Sequence, residues 1–465
     1  MTGPSLGWIG IVRLGLVQTA LGAIVVLTTS TLNRVMVVEM ALPAVLPGLL
    51  VALHYAVQTT RPRWGYGSDV GGRRTPWIVG GMATLALGGW LAAVATALMA
   101  EHLAAGVALA VVAFILVGLG VGAAGTSLLV LLAKRVEPHR RPAAATIVWV
   151  MMIAGFIVTA GIAGHHLDPF SHARLVAVTG VVSVMALALA VVAVWGVEGD
   201  GSPASLHAAP AASAPKPAFR AALAEVWAEP QARRFSIFVA LSMFAYSAQD
   251  LILEPFAGTV FGYTPGQSTR LAGVQHGGVL VGMVLVAVLA TGWRGYRIGT
   301  LRGWTVGGCL ASALALALLA VGGFHAGRWP LAATVFALGL ANGAFAVSAI
   351  GSMMALAGEG RERREGVRMG LWGAAQALAF GLGGFAGAGA ADVVRLATGS
   401  ALHGYATVFL AEALLFVLAA ALALRIGEIR RPGGVRAEPR LAAIGRSLLP
   451  PAGESPVWSR QEVRR

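Results

Sequence analysis

The chain is organised around a short, glycine-rich basic loop, Arg61-Pro-Arg-Trp-Gly-Tyr-Gly-Ser-Asp-Val-Gly-Gly-Arg-Arg-Thr-Pro76. Apolar runs flank this loop on both sides, Ala41–Thr60 before it and Trp77–Met99 after it. Its glycines permit a tight reversal of the chain, because only glycine takes a positive φ without steric cost. We expect Asp69 to pair with helix N-termini or with the nearby arginines, which would hold the loop on one face of a membrane.

The composition is that of an integral membrane protein. Hydrophobic residues make up 57% of the 465 residues and charged residues only 12%, whereas a soluble domain carries about 25% charged residues. The net charge of +14 does not indicate nucleic-acid binding, because the basic residues lie in short loops between apolar runs. The single cysteine, Cys309, excludes an intramolecular disulfide and a cysteine-based metal cluster.

The apolar runs divide the chain into two sets of spans, since a bilayer crossing needs about 20 mostly apolar residues. Residues 1–195 contain six runs, near Leu14–Asn33, Ala41–Thr60, Trp77–Met99, Leu103–Ala133, Ala143–Gly164 and Leu175–Trp195. Residues 235–425 contain six more, near Phe235–Ala257, Leu271–Gly292, Ile298–Gly323, Trp329–Ala357, Met369–Ala391 and Tyr405–Leu424. Between them, residues 196–234 are predicted to form a cytoplasmic linker with a short amphipathic helix at Phe219–Trp227. Residues 426–465 are predicted to be a basic, flexible tail.

Arginine and lysine concentrate on one side of these spans. They follow the second, fourth, eighth and tenth spans and occupy the linker, whereas the opposite loops are short and poor in both residues. By the positive-inside rule, both termini are expected to be cytoplasmic. The sequence therefore predicts an all-α integral membrane protein of twelve transmembrane helices in two six-helix halves, with a substrate site between the halves.

Two motifs have simpler interpretations than their patterns first indicate. Gly120-Val-Gly-Ala-Ala-Gly125 matches a dinucleotide-binding pattern, but it lies inside an apolar span with no preceding strand. We interpret it as small residues that let helices pack closely, and expect no nucleotide. The run His165-His-Leu-Asp-Pro-Phe-Ser-His172 could bind a metal, but it lacks a helical i, i+4 ligand pair, so a polar external turn is favoured.

Ionisable residues inside a bilayer are costly and are functional candidates. The densest set is Gln249, Asp250 and Glu254 on the seventh span. Asp250 and Glu254 are four residues apart and share a helix face, so at least one is expected to be protonated, paired, or near the outer surface. Pro255 is expected to kink or end the helix nearby.

Other polar residues in the spans leave a structural and a functional interpretation open. His54 and His276 could each hydrogen-bond a neighbouring helix or bind a ligand. Asn33, Arg34 and Glu39 are placed around the first external turn, where Arg34 and Glu39 are expected to form a structural pair. Among the lone polar residues, Glu412 lies on the twelfth span, and Asn342 on the tenth is expected to hydrogen-bond a neighbouring helix.

The pattern Gly65-x-x-x-Asp69-x-x-Gly72-Arg73-Arg74 resembles the loop between the second and third helices of the major facilitator superfamily. Several longer runs are more specific and together resemble the PucC/LhaA family of phototrophic bacteria: Thr31–Glu39, Leu53–Gln58, Arg61–Asp69, Arg74–Trp77 and Tyr246–Phe256. The similarity extends from about Leu6 through the twelfth span.

The resemblance implies a role in assembling the light-harvesting antenna. Such a protein would bind or deliver bacteriochlorophyll, or a late precursor, to the antenna alpha and beta polypeptides in the inner, intracytoplasmic photosynthetic membrane. Bacteriochlorophyll synthase and the membrane insertion machinery are further expected partners, together with membrane lipids. His54 and His276 are candidate ligands of the chlorophyll magnesium, because a neutral imidazole suits that metal. Gln249, Asp250 and Glu254 are candidates to bind pigment carbonyls or waters, or to couple the halves.

The sequence does not indicate an enzyme, because nothing in it resembles a nucleophile, base and orienting group. The alternative function is a proton-coupled major facilitator transporter of a small molecule, with Asp250 or Glu254 as the proton site. A third interpretation is a purely structural membrane scaffold. The spans are rich in Ala, Leu, Val and Gly and contain few polar groups, which favours a lipid-like ligand or a helix-binding surface over a polar solute.

Overall fold

The computed structural model describes residues 6–59, 73–137, 140–198, 227–291, 298–358 and 365–426. Within these ranges the regular secondary structure is helical. Gly65, Asp69 and Gly72 of the basic loop lie outside the described residues. The same holds for the predicted amphipathic helix up to residue 226 and for the tail from residue 427.

The described residues form twelve helices, α1 to α12 in chain order. Their bounds are Trp8–Glu39, Val45–Gln58, Thr75–Met99, Leu103–Arg135, Arg141–His166, His172–Val194, Pro230–Phe261, Pro265–Thr291, Leu301–Gly323, Leu331–Gly358, Glu365–Thr398 and Ala401–Arg425. Eleven of these helices are long and apolar enough to cross a membrane, and α2 is a shorter apolar helix. Since no backbone group can reach water inside a bilayer, helices are the structure that an apolar chain of this kind must adopt.

The two halves repeat one packing pattern. In the first half α1 packs against α5 and α6, α3 packs against α4 and α6, and α2 packs against α4. In the second half the same pairs recur: α7 packs against α11 and α12, α9 packs against α10 and α12, and α8 packs against α10. The halves meet mainly where α5 packs against α8 and α2 against α11. The predicted arrangement of two six-helix halves is therefore confirmed, whereas the residue boundaries of the linker and tail stay predictions.

Glycines allow the closest helix contacts. A Cβ atom at Gly120 on α4 would lie 2.5 Å from the backbone nitrogen of Leu85 on α3, and one at Gly383 on α11 would lie 2.5 Å from the carbonyl oxygen of Phe244 on α7. Real Cβ atoms do not approach backbone atoms this closely. The interpretation of Gly120–Gly125 as a helix-packing motif agrees with this geometry.

Three helices continue by four or more residues past the ends that the sequence predicts. Helix α11 extends to Thr398. In its last turns Asp392 and Arg395 pair at 3.3 Å, and Asp392 Oδ2 accepts a hydrogen bond from the backbone nitrogen of Val45 at 2.8 Å. Helix α7 continues through Pro255 to Phe261. Helix α1 continues to Glu39 through two π-helical segments, Leu27–Thr31 and Val35–Glu39.

The expected place of Asn33 and Arg34 at an external turn is wrong. Both residues lie inside α1 and are buried. They are retained at this depth because groups of the second half bind their side chains, as described below. A helix can carry polar residues inside a membrane when neighbouring helices satisfy them.

The outer faces of the bundle are apolar. Large aliphatic side chains are exposed along α6, α9 and α12, including Val184, Leu314 and Leu414. Contiguous apolar surface of this extent on spanning helices is what a lipid environment requires. The protein is therefore a multi-pass membrane protein.

Candidate functional site

The two halves bind each other through polar groups on one side of the bundle. We call this the far side, meaning the side opposite the end of α6 and the start of α7. Helices α1, α5, α7 and α11 all end on the far side. The contacts described next lie in the last turns of α1 and α7 and in the first turns of α8.

Pro255 creates a carbonyl group that needs a partner. Proline has no backbone N–H, so the carbonyl of Leu251, four residues earlier on α7, loses its helical donor. Asn33 Nδ2 of α1 donates to this Leu251 oxygen at 2.6 Å. Pro255 does not end the helix, because α7 continues to Phe261 and a side chain from the other half satisfies the freed carbonyl. The expected kink stays a prediction.

Glu254 also faces the first half. The hydroxyl of Ser30 on α1 donates to Glu254 Oε1, and the positive charge of Arg34 acts on this carboxyl group. Glu254 is buried. Its carboxyl group therefore belongs to the contact between the halves.

Arg34 is the largest fully buried side chain, with 1% of its surface exposed. Its guanidinium forms an ion pair with Glu39, five residues later on the same helix, and donates to the carbonyl oxygen of Tyr263 at 2.6 Å. Gly258 makes room for it, because a Cβ atom there would lie 3.0 Å from Arg34 Nη2. Arg34 and Glu39 are in contact, as expected. Through its bond to Tyr263, Arg34 also connects α1 to the residues just after α7.

Further contacts complete the closure of the far side. Thr31 Oγ1 lies 3.1 Å from Thr269 Oγ1, and Arg270 donates to the carbonyl oxygen of Gly164 at 2.9 Å. The backbone nitrogen of Gly266 donates to Asp168 Oδ1 at 3.3 Å. We refer to Ser30, Asn33, Arg34, Glu254 and Tyr263 as the far-side cluster. Sequence analysis missed Ser30 and Asp168, because neither residue carries a local signal of its partner about one hundred or more residues away.

A cavity of about 660 Å³ lies next to the far-side cluster. Its lining includes Arg34, Glu39, Asp168 and Tyr263. Charged groups of both signs therefore surround this space. Such a lining does not suit a large apolar pigment, because burying charges against an apolar ligand is costly.

Gln249 and Asp250 face the interior of the second half. Gln249 is fully buried, and neither polar atom of its amide has a hydrogen-bond partner among the described residues. Asp250 is half-buried and faces the side chain of Gln275 on α8 and the carboxyl group of Glu412 on α12. Although Asp250 and Glu254 are four residues apart, the structure gives them different partners, so they do not act as one pair.

His54 forms a hydrogen bond with a residue of its own helix, α2. Gln58 Nε2 lies 2.8 Å from His54 Nε2, and since an amide nitrogen is a donor, this ring nitrogen accepts the hydrogen bond. Only 2% of the His54 surface is exposed, and its ring packs edge-on against Tyr55 at 4.9 Å. The ring nitrogen that would bind a metal is therefore already used.

His276 has a different environment at the contact of α5 and α8. Its Nδ1 lies 2.8 Å from the carbonyl oxygen of Ala272, one turn earlier on α8. Its ring packs edge-on against Phe156 of α5, with 4.7 Å between the ring centres. The side chain is half-buried. His54 and His276 thus differ in which ring nitrogen the protein occupies.

The described end of the basic loop is held by Glu198. Its Oε1 accepts from the backbone nitrogen of Arg74 at 2.7 Å, and its Oε2 accepts from the backbone nitrogen and the hydroxyl of Thr75, both at 2.8 Å. An anion is favourable at a helix N-terminus, so Glu198 caps α3. Sequence analysis missed this residue. Arg73 precedes this cap, and the roles expected for Gly65, Asp69 and Gly72 stay predictions.

Two smaller expectations concern ligands and helix contacts. Within the described ranges, no group of three or more His, Cys, Asp or Glu side chains is placed to hold a metal ion. On α10, Asn342 Oδ1 accepts a hydrogen bond from Ser312 of α9 at 2.8 Å. The expected helix-to-helix hydrogen bond of Asn342 is confirmed.

Comparisons with known sequences identify close relatives. A family model described as PUCC protein matches residues 31–430. A protein of Rhodobacter capsulatus named Bacteriochlorophyll synthase 44.5 kDa chain is 55% identical over 427 residues, covering 92% of this chain and 97% of that protein. The protein named PucC of Rhodovulum sulfidophilum is 30% identical over 400 residues, covering 83% of this chain and 86% of that protein.

Solved structures show the same architecture. The D-xylose-proton symporter superposes with a TM-score of 0.67 at 15% identity and covers 90% of this chain and 97% of its own. The peptide transporter POT in complex with sulfate superposes with a TM-score of 0.65 at 15% identity and covers 92% of this chain and 97% of its own. At these identities the likeness concerns the fold alone. The predicted major facilitator fold is confirmed.

Proposed function

We propose, on the premise that this chain belongs to the PUCC protein family, that it is an assembly factor for bacterial light-harvesting complexes. In this role it holds bacteriochlorophyll, or a late precursor, while the pigment is inserted into the antenna alpha and beta polypeptides. The observation that carries the proposal is the family match over residues 31–430, which includes nearly all the described helices. The membrane-spanning fold is compatible with a pigment that is itself lipid-like.

The distribution of polar groups supports an apolar ligand. Many hydroxyl groups inside the spans bind their own helix and so do not line a hydrated path. Ser242 donates to the carbonyl of Phe238 at 2.7 Å, and Ser348 donates to the carbonyl of Ala344 at 2.7 Å. The strongest polar contacts between the halves lie on the far side. A carrier of a polar solute requires polar groups that face its ligand from both halves. The far-side cavity has such groups, whereas the contact between α5 and α8 around Ile153, Val279 and Met283 is apolar.

The relative named as a chain of bacteriochlorophyll synthase favours a place beside the pigment-synthesis machinery. We assign this chain a non-catalytic part: it receives the pigment and passes it to the antenna polypeptides, with the membrane insertion machinery nearby. Its membrane is the inner, intracytoplasmic photosynthetic membrane. The described arginines that begin or end helices on the linker side, among them Arg74, Arg135 and Arg425, support placing both termini in the cytoplasm.

The test is genetic complementation combined with purification. A phototrophic host that lacks its own copy would express the tagged chain, and antenna assembly would be measured from the absorption of isolated membranes. Pigment per purified chain and co-purifying antenna polypeptides would be quantified in the same cells. Restored antenna with near-stoichiometric pigment supports the proposal. Restored antenna with a colourless chain overturns pigment holding and leaves a scaffold, and absence of restoration overturns the assembly role.

A second candidate function is proton-coupled transport of a small molecule. The fold shared with the D-xylose-proton symporter favours it, and so do the buried carboxyl groups of Glu254 and Glu412. Reconstituted vesicles with an imposed proton gradient would distinguish the two candidates. Gradient-driven solute uptake without pigment binding would favour the transporter.

A further inference from the structure

We propose that His276 Nε2 is the axial ligand for the central metal of a chlorin pigment, at the contact between α5 and α8. This inference rests on the proposed function and names the site at which that function would be performed. It assigns the role to one of the two candidate histidines and withdraws it from the other.

The first observation is the tautomer of the ring. A backbone carbonyl can only accept a hydrogen bond, so the 2.8 Å contact from His276 Nδ1 to the Ala272 oxygen places the proton on Nδ1. The lone pair therefore lies on Nε2. A histidine that binds a metal commonly donates its other N–H to a backbone carbonyl, which orients the ring and raises the basicity of the ligating nitrogen.

The second observation is that Nε2 is available. Among the residues that the structure describes, no hydrogen-bond partner occupies it. The ring also packs against Phe156, which meets it at an interplanar angle of 75°. In His54, by contrast, Gln58 occupies Nε2 and the side chain is almost wholly buried. The lone pair on His276 Nε2 therefore suits a metal that accepts one axial nitrogen ligand.

The third observation is the depth and surroundings of the site. His276 lies eleven residues after the start of α8, about 16 Å along the helix, which is near the middle of a hydrocarbon core about 30 Å thick. The next turns of the same contact are apolar: Val279 and Met283 pack with Ile153. A macrocycle with a long hydrocarbon tail requires such an apolar surface beside its ligand.

The fourth observation is local space. Gly277 follows the histidine, and a Cβ atom at that position would have no heavy atom within 4 Å. The same is true of Gly161 on α5, which lies 3.7 Å from the Cβ position of Gly273 on the facing helix. Flat, open flanks on both helices are compatible with a flat ring system entering from this side.

The test measures whether binding depends on the metal of the pigment. Detergent-purified wild-type protein would be titrated with bacteriochlorophyll a and with bacteriopheophytin a, which has the same ring without magnesium. We expect wild type to bind the magnesium pigment about tenfold more tightly, a difference of about 1.4 kcal/mol. We expect His276→Leu to remove that difference and leave affinity for the magnesium-free pigment unchanged, and the loss of the axial ligand to alter the visible absorption bands.

A matched control is His325→Leu. His325 on the loop after α9 makes the same kind of contact, from its Nδ1 to the Val321 oxygen at 3.1 Å, but it is exposed. This variant should bind both pigments as wild type does. Retained binding of the magnesium-free pigment shows that His276→Leu is folded, and His276→Gln provides a second variant with a weaker oxygen ligand.

The outcomes separate the ligand assignment from the proposed function. If wild type binds both pigments equally, or if His276→Leu keeps the preference for magnesium, the assignment to His276 is wrong while pigment handling stands. If wild type binds neither pigment, the pigment part of the proposed function fails as well.

Discussion

The two halves meet in two chemically different ways, and the far-side cluster and the contact around His276 represent the two kinds. On the far side, charged and hydrogen-bonding groups such as Arg34 and Asn33 join α1 to the end of α7. In the middle of the bundle, α5 and α8 meet through a ring contact and aliphatic side chains, with Phe156, His276 and Val279 among them. Hydrogen bonds and an ion pair stabilise the first region, whereas the packing of apolar side chains stabilises the second.

This difference indicates how the halves divide their tasks. Directional bonds to buried charges are lost abruptly when geometry changes, because each unpaired group is costly in a low-dielectric environment. The energy of apolar contacts changes gradually with distance, so these contacts can accommodate an apolar ligand. The far side therefore holds the halves in register, and the middle is where a lipid-like ligand can be admitted.

The largest effect is expected for Arg34→Met. Removing the guanidinium leaves Glu39 and the carbonyl of Tyr263 without their buried partner. Losing the charged hydrogen bonds to Glu39 and Tyr263 is expected to cost about 3 kcal/mol, measurable as a lower free energy of unfolding in detergent. Arg395→Met is the control, since the Arg395 side chain is 37% exposed against 2% for Arg34, and its pair with Asp392 should contribute at most about 1 kcal/mol. Equal effects of the two variants would show that the far-side cluster has no special role.

The Asn33–Pro255 relationship can be tested by a double-mutant cycle. Asn33→Leu leaves the Leu251 carbonyl unsatisfied and should lower the free energy of unfolding by about 1–3 kcal/mol. In a Pro255→Ala background the restored N–H can serve that carbonyl, so the same change should cost less, by a coupling of about 0.5–3 kcal/mol. The same cost in both backgrounds would contradict the explanation that proline creates the need for Asn33.

Gly48→Leu tests close packing at the other contact between the halves, where α2 meets α11. A Cβ atom at Gly48 on α2 would lie 3.1 Å from the Cβ of Ala388 on α11, so the rest of a leucine side chain would push the halves apart. Overpacking of this kind costs about 1–3 kcal/mol, and a thermal unfolding series would report it. Gly80→Leu is the control, because a Cβ at Gly80 meets no heavy atom within 4 Å. A neutral Gly48→Leu would mean that the halves do not pack closely there.

The smallest effect is expected for Thr31→Val. The change removes one hydrogen bond between hydroxyl groups of Thr31 and Thr269, and such bonds between membrane helices average about 0.6 kcal/mol. Thr84→Val serves as the control, since its hydroxyl binds only the carbonyl of Gly80 on its own helix. A loss as large as that of Arg34→Met would show that the far-side bonds act as a single unit.

Local patterns in the sequence predicted the parts of the site that depend on nearby residues. The pair of Arg34 and Glu39, five residues apart, could be expected because oppositely charged groups in one short segment have few other partners in a bilayer. The hydrogen bond of Asn342 followed from the rule that a lone amide in a span binds a neighbouring helix. The site roles of Gln249, Asp250 and the two histidines stay predictions, but the structure separates their environments.

Helix ends were predicted less well, for a physical reason that recurs. Sequence analysis ended α1 at Asn33 and α11 at Ala391, where polar residues begin, because polarity commonly indicates the edge of the membrane. In the structure those polar residues bind the other half, Asn33 through the Leu251 carbonyl and Asp392 through the backbone of Val45. At these two positions the polar side chain has a protein partner, and hydropathy cannot distinguish a residue that binds protein from one that faces water.

The amino-acid sequence was enough to identify the twelve-span architecture and the family, because apolar runs of about 20 residues cross a bilayer as helices and the longer runs are specific to the family. The contacts across the halves became known from the three-dimensional structure: Glu254 with Ser30 and Arg34 with Tyr263. The structure also leaves Nε2 without a described hydrogen-bond partner in His276 but not in His54. These pairings join residues more than two hundred positions apart or depend on a ring's hydrogen bond. Hydrophobic periodicity shows which face of a helix is apolar. It does not show which helix packs against that face, or at what depth in the membrane.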